Sequence, residues 1–261
     1  MMLDGRTVLV TGGGTGIGEA AVHAVVANGG RAVAMGRRID AVEAVAAAAG
    51  PQAMAVAADA GNGPSLRAAL AEIDARFGPL DGVIACAGTM EVAAVGDCDD
   101  DAWARMMHGN LTTAFVTARE TLPALVATRG SMVVVSSIAA LEAVPQCAAY
   151  TTAKHAALGL VRSLALDYGP QGVRVNAVCP GWVRTPMADE EMQVVMAREG
   201  ITLDQAYALV TSDVPLRAPA TAREIADVCV FLLSGLASAM SGAIVNVDGG
   251  STVISAPMLK V

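Results

Sequence analysis

Short apolar runs recur along the chain, and each is followed by a longer segment rich in helix-forming residues. The runs at 7–10, 31–35, 53–57, 82–85, 132–135, 172–178 and 242–247 are β-branched or small and apolar, which predicts seven strands. Between them, helices are predicted at 19–27, 41–49, 64–77, 148–168 and 222–234. A sixth, longer helix starts from the acidic group at 97–101 beside Trp103 and ends near Pro123. Thr221 with Glu224 three residues later forms a capping box for the last helix. Seven strands alternating with six helices, without a long linker, repeat or composition shift, imply an α/β fold built on one doubly wound parallel sheet. Ligands of such sheets bind at the C-terminal ends of the strands.

The first strand runs directly into Thr11-Gly12-Gly13-Gly14-Thr15-Gly16-Ile17-Gly18 and then into a helix. Glycines let a backbone turn tightly and approach a pyrophosphate, and a helix N-terminus offers it unpaired N–H groups, so this order predicts dinucleotide binding. The second strand ends in Gly36-Arg37-Arg38, where an NAD-selecting chain usually carries an acidic residue for the ribose 2′-hydroxyl. Two guanidiniums suit a 2′-phosphate, which favours NADP with NAD as the alternative; solvated surface arginines are the other reading. Asp59 follows the third strand, either as an adenine contact or as a helix cap. Cys86-Ala87-Gly88 follows the fourth, small enough for the backbone to pass close beneath a cofactor.

Tyr150 and Lys154 are four apart in the predicted helix and share one face. A free tyrosine titrates near about 10, and acid–base work near neutrality asks for a depression worth about 4 kcal/mol. A lysine charge ~4 Å away can supply about that much at an intermediate dielectric. The pair suits proton transfer, although Tyr-x-x-x-Lys alone also describes an ordinary surface helix. Ser137 follows the fifth strand, where its hydroxyl would face the same cleft. Asn110 lies within the long helix, where an amide is a mediocre helix former, so it serves a polar task or marks a kink. Pro180 and Pro186 fix a turn that places Thr185 at the cleft mouth. The Met-rich, weakly periodic segment at 187–214 reads as a substrate lid or as a surface helical hairpin. Thr89, Met90, Glu142, Cys147, Trp182 and Met187 flank these motifs and are candidates to line a partly apolar substrate pocket. The apolar tail at 253–261 is expected to pack on something, another subunit among the options.

Composition narrows the function classes. Of 261 residues 54% are apolar, and net charge is −8 with Lys and Arg scattered, so no basic stripe exists for nucleic acid. His23, His108 and His155 form no ligand cluster, and no metal site is expected. Cys86, Cys98, Cys147, Cys179 and Cys229 are odd in number and widely spaced, as free thiols of a reducing compartment are. With no signal-peptide pattern and no apolar run of about 20 residues, a cytoplasmic protein without membrane contact is expected.

Taken together, Thr11-Gly12-x-x-x-Gly16-x-Gly18, Asn110, Ser137, Tyr150-x-x-x-Lys154 and Pro180-Gly181-x-x-x-Thr185 resemble the short-chain dehydrogenase/reductase (SDR) family over essentially the whole chain. One departure is Cys86 where that family usually has asparagine, which puts the side-chain contact at that position in doubt. The resemblance implies a single Rossmann domain over 1–261, with the lid at about 187–214. It implies an oxidoreductase moving a hydride between NAD(P) and a small carbonyl or secondary alcohol, and, by analogy, a homotetramer. Tyr150 would exchange the substrate proton, Lys154 would lower the tyrosine pKa and hold the nicotinamide ribose, and Ser137 would position the substrate oxygen. Asn110 would support a water relay, and Thr185 would hold the carboxamide. The cofactor would further be held by Gly12, Thr15, Gly16, Ile17, Gly18, Arg37, Arg38, Asp59, Ala60, Ala87, Gly88, Pro180, Gly181 and Val183. An NAD-dependent alcohol dehydrogenase and a 3-oxoacyl thioester reductase are the enzyme alternatives, the latter lacking a basic patch for an acidic carrier. A cofactor-sensing scaffold is the non-enzyme alternative, and retention of Ser137, Asn110, Tyr150 and Lys154 argues against it.

Overall fold

The computed structural model describes residues 1–253, and its organising feature is a seven-stranded sheet. In chain order the first strands are β1 (Thr7–Thr11), β2 (Arg31–Gly36), β3 (Ala53–Ala57), β4 (Gly82–Ala85), β5 (Ser131–Val135) and β6 (Arg174–Pro180). A short ladder joins β7 (Val183–Arg184) to β8 (Ala220–Thr221), and β9 (Ile244–Val247) completes the main sheet. The order is β3-β2-β1-β4-β5-β6-β9, with every neighbouring pair parallel. The predicted doubly wound sheet is therefore present, and the strand order reverses between β1 and β4. Thr11 secures that switch point: its hydroxyl accepts hydrogen bonds from the Cys86 and Ala87 N–H groups, both at 3.1 Å.

Helices cover both faces, which explains why the strand runs lack polar alternation. α1 (Gly16–Ala27) and α2 (Ile39–Ala49) lie on one face, where Val22, Val25, Val42 and Val45 meet Val8, Val10 and Ile84. The opposite face is covered by α3 (Gly63–Phe77), by the α4 (Asp100–Met107) and α5 (Thr113–Thr128) pair, and by α6 (Ala148–Tyr168). There Leu66, Ile73, Leu125, Leu158 and Val161 bury Leu9, Val33, Val83 and Val134. The predicted long helix is α4 and α5 joined by a π turn at His108–Thr112. Asn110 sits inside that turn, a local break in the α-helical pattern, and its side chain has a polar task in holding Thr89.

The segment at 187–214 folds into α7 (Pro186–Glu199) and α8 (Leu203–Val210). These pack on each other through Ala188, Met192, Ala206 and Tyr207, with Trp182 against them. A helix packed mainly on one neighbour needs only a narrow apolar stripe, which is why the periodicity looked weak. The remaining helix, α9 (Ala222–Leu233), returns to the α1 face and carries the predicted capping box. Strands β6 and β9 start two residues later than predicted, because Gly172 (φ +86°) and Gly242 (φ +74°) adopt left-handed turns before them. Among the described residues, no helix is long and apolar enough to cross a membrane. Except for exposed Val253, the apolar tail lies outside the described residues.

Candidate active site

The crevice at the switch point begins with the glycine loop. Gly12 has φ +68°, and a Cβ there would sit 3.0 Å from Ala87 Cα. A Cβ on Gly18 would meet the Gly12 carbonyl oxygen at 2.1 Å, so this position admits no side chain. Thr15 is the N-cap of α1 but makes no side-chain capping bond, leaving the first N–H groups of a 12-residue helix without an internal partner. A tight backbone cradle facing an uncapped helix start fits the pyrophosphate of a dinucleotide. From it a cavity of about 520 Å³ extends along Arg37, Arg38, Asp59, Ala60, Ala87 and Gly88. Arg37 and Arg38 are exposed and form no ion pair among the described residues. Asp59 lines the cavity but caps no helix; it accepts from Gly61 N–H at 2.8 Å, while Asn62 caps α3. Arg105, ion-paired to Glu91 at 3.0 Å, joins this lining, and sequence reasoning missed both.

A second cavity of about 190 Å³ shares Gly12, Thr15, Gly88 and Thr89 with the first and reaches Ile17, Asn110, Tyr150, Lys154 and Thr185. Tyr150 and Lys154 do share one face of α6, with the ammonium 5.4 Å from the centre of the phenol ring. The expected depression of the tyrosine pKa is absent. Burial pushes the phenol up to about 12, opposed by a hydrogen bond with Ser137 and reinforced by the Glu191 charge. Desolvation is the main cause, and the Lys154 charge does not offset it: Nζ lies over the ring and donates to the Val135 carbonyl at 3.3 Å. Lys154 is itself buried, and desolvation pulls its pKa down to about 8.

Ser137 Oγ accepts from the Ala139 N–H at 3.1 Å, which fixes the turn between β5 and α6. Asn110 pins the loop after β4: its Nδ2 donates to Thr89 O at 2.9 Å and to Met106 O at 3.1 Å, and its Oδ1 accepts from Thr89 N at 3.3 Å. Gly88 makes this possible, since a Cβ there would lie 3.1 Å from Asn110 Oδ1 and 3.7 Å from Lys154 Nζ. Thr185 caps α7 through its hydroxyl, and its methyl group packs where a Gly16 Cβ would be, 3.2 Å away.

Other motif residues shape the site without lining either cavity. Ser137, Gly18, Pro180, Gly181 and Val183 are of this kind, and a Cβ on Gly181 would press against Asp248 Cα at 3.0 Å. Of the candidate pocket residues, Thr89 and Met187 line the smaller cavity, whereas Met90, Glu142, Cys147 and Trp182 do not. Cys147 is the buried N-cap of α6 and Glu142 is exposed. Cys86 and Ser136 also reach the smaller cavity. Burial raises the Cys86 thiol to about 11 against the opposing Lys154 charge, so it is neutral near pH 7.

A family profile described as Enoyl-(Acyl carrier protein) reductase matches residues 12–252. The chain belongs to the short-chain dehydrogenase/reductase family. It is an oxidoreductase acting between CH–OH and C=O groups, with a nicotinamide dinucleotide as the family cofactor. It is 45% identical to Protein MoaE of Klebsiella aerogenes, over 97% of this chain and 98% of that one. It is 36% identical to the D-beta-hydroxybutyrate dehydrogenase of Cupriavidus necator, over 95% of this chain and 98% of that one. Among solved structures, the fold matches the aldohexose dehydrogenase of Thermoplasma acidophilum with a TM-score of 0.89 at 25% identity, covering 98% of this chain and 96% of that one. A single-substitution variant of the actinorhodin polyketide ketoreductase, solved with NADPH, matches with a TM-score of 0.89 at 28% identity, covering 95% and 98% of the two chains.

Proposed function

We propose that this SDR is an NADP-dependent oxidoreductase of a small carbonyl or secondary alcohol, with Tyr150 as its proton-transfer residue. The observation that carries the reading is the joining of two cavities at the switch point. The Arg37/Arg38 crevice opens through the glycine loop onto a pocket that holds Tyr150, Lys154 and Asn110. When bound, the nicotinamide supplies or accepts the hydride at the substrate carbon.

The remaining work falls to the chain. With a pKa of about 12, Tyr150 holds its proton on Oη near neutrality and is the donor to a carbonyl oxygen in reduction. Ser137, near enough to that phenol to hold its pKa down, shares the substrate oxygen and orients it. Lys154, still mostly protonated at pH 7, stabilises the phenolate left after donation. Asn110 holds Thr89 and so fixes the wall opposite Tyr150. The α7–α8 hairpin, entering the pocket through Pro186 and Met187, serves as the lid. Half-exposed Phe115 on α5 and exposed Leu166 on α6 support assembly as a homotetramer through these helices, and the free thiols support a cytoplasmic location.

NADP is favoured because the Arg37 and Arg38 guanidiniums, without an ion pair among the described residues, line the larger cavity and suit a 2′-phosphate. Calorimetric titration with NADP and with NAD tests this on the wild type and on an Arg37→Ala, Arg38→Ala variant. NADP is expected to bind about 10-fold tighter or more, roughly 1.4 kcal/mol, and the variant to lose that margin. Tighter binding of NAD, unchanged in the variant, assigns the chain to NAD-dependent alcohol oxidation.

A further inference from the structure

Glu191 lies one helical turn beyond Met187 on α7, so the two side chains share a face. Met187 lines the smaller cavity with Tyr150 and Lys154. The neighbouring stripe of the helix, Ala188 and Met192, is turned away into the cluster with α8. Glu191 is half-buried, and among the described residues no ion pair or hydrogen bond holds its carboxylate. Other half-buried carboxylates are satisfied: Glu120 by Arg67 and Arg119, Asp189 by the Tyr207 hydroxyl, and Asp248 by Thr252. The Glu191 charge nevertheless reaches the site, where it raises both the Tyr150 phenol and the Cys147 thiol. Glu191 itself lines neither cavity and stands one helical turn beyond Met187, which does; a partly desolvated carboxylate so placed gains most from a cation delivered by a ligand that extends out of the pocket.

We propose that Glu191 is a specificity-determining residue that recognises a cationic group, such as an ammonium, on the carbonyl or alcohol substrate and disfavours carboxylate substrates. This rests on the oxidoreductase reading of the same pocket. Met187 supplies the apolar contact between the reacting carbon and the charge. Thr185, which caps α7, fixes the helix that presents both side chains.

Three matched ketones, the para-aminomethyl, para-ethyl and para-carboxylate acetophenones, test this by calorimetric titration of the protein with NADP present. The wild type is expected to bind the aminomethyl compound at least about 10-fold tighter than the carboxylate. Glu191→Gln, which keeps shape and removes charge, brings the two within about threefold, and Glu191→Asp retains part of the preference. An unchanged thermal melt shows that the variants fold. Turnover with NADPH is expected to follow the same order, with the change in KM rather than kcat. No charge preference in the wild type, an equal preference in Glu191→Gln, or no binding of any probe overturns the proposal. Charge-ordered binding without reduction of any ketone sustains Glu191 as the recognising group and removes the reductase reading instead.

Discussion

Lys154 is held in a place where its charge is disfavoured, and removing that charge should make the protein more stable. The ammonium is buried, and burial moves its pKa from 10.5 to about 8. At pH 7 both folded and unfolded chains are mostly protonated here, so the native state carries the whole penalty, about 3 kcal/mol. Lys154→Met keeps an unbranched stem of similar length and carries no charge. The variant should therefore gain about 2–3 kcal/mol at pH 7, less the hydrogen bond to the Val135 carbonyl, about 1 kcal/mol. The pH dependence carries the sign. Between about 8 and 10.5 the unfolded chain binds more protons than the folded one, so wild-type stability rises with pH relative to the variant. Urea denaturation of both proteins without cofactor should show the largest gap near pH 7, falling to about 1 kcal/mol or less by about pH 10. A gap that does not change with pH, or a variant less stable by the same amount at both, refutes the reasoning.

Two further outcomes test the proposed site. Gly18→Ala places a methyl group 2.1 Å from the Gly12 carbonyl oxygen, so the loop must shift; dinucleotide affinity by calorimetry should fall by about 100-fold or more, with about 1–3 kcal/mol of stability lost in urea melts. For reduction, kcat/KM should be level below about pH 7 and decline through about pH 8 as Lys154 loses its proton, the Tyr150 phenol still holding its own to about 12. A decline confined to pH 10 and above would show that Lys154 keeps an ordinary lysine pKa.

The sheet was legible because its inner strands β1, β2, β4 and β5 are buried on both faces and so appear as apolar runs, while the edge strands β3 and β9 carry the same small or β-branched residues half-buried. The glycine loop was equally readable, since Gly12 and Gly18 sit where contacts exclude a side chain, whereas the left-handed turns at Gly172 and Gly242 read as the starts of strands. The Tyr150/Lys154 pairing followed from helical spacing alone. Its electrostatics did not, because the spacing says nothing of where the ammonium points; here it lies over the ring and bonds Val135. Asn110 showed only as an amide in a helix, whereas its role depends on Thr89, 21 residues earlier and brought close by the sheet. Glu191 was hidden by the weak periodicity around it. The signal that could have found it is its four-residue spacing from Met187, already singled out as a pocket residue.

The charges along the crevice form an ordered series once these placements are set side by side. Arg37 and Arg38 line the larger cavity, Lys154, the single buried cation of the described residues, lines the smaller one, and Glu191 stands on α7 one turn beyond Met187. The arginine end suits an anionic cofactor group, and the glutamate end suits a cationic substrate group. The reacting centre between them carries one net positive charge, which is where negative charge develops when a phenol gives up its proton. Glu191 works against the role proposed for Lys154, since it favours the protonated phenol of Tyr150. A cation bound at Glu191 would cancel that opposition. The phenol would then give up its proton more readily when the proper substrate is in place than when the pocket holds a neutral one, so that recognition and proton transfer share one carboxylate.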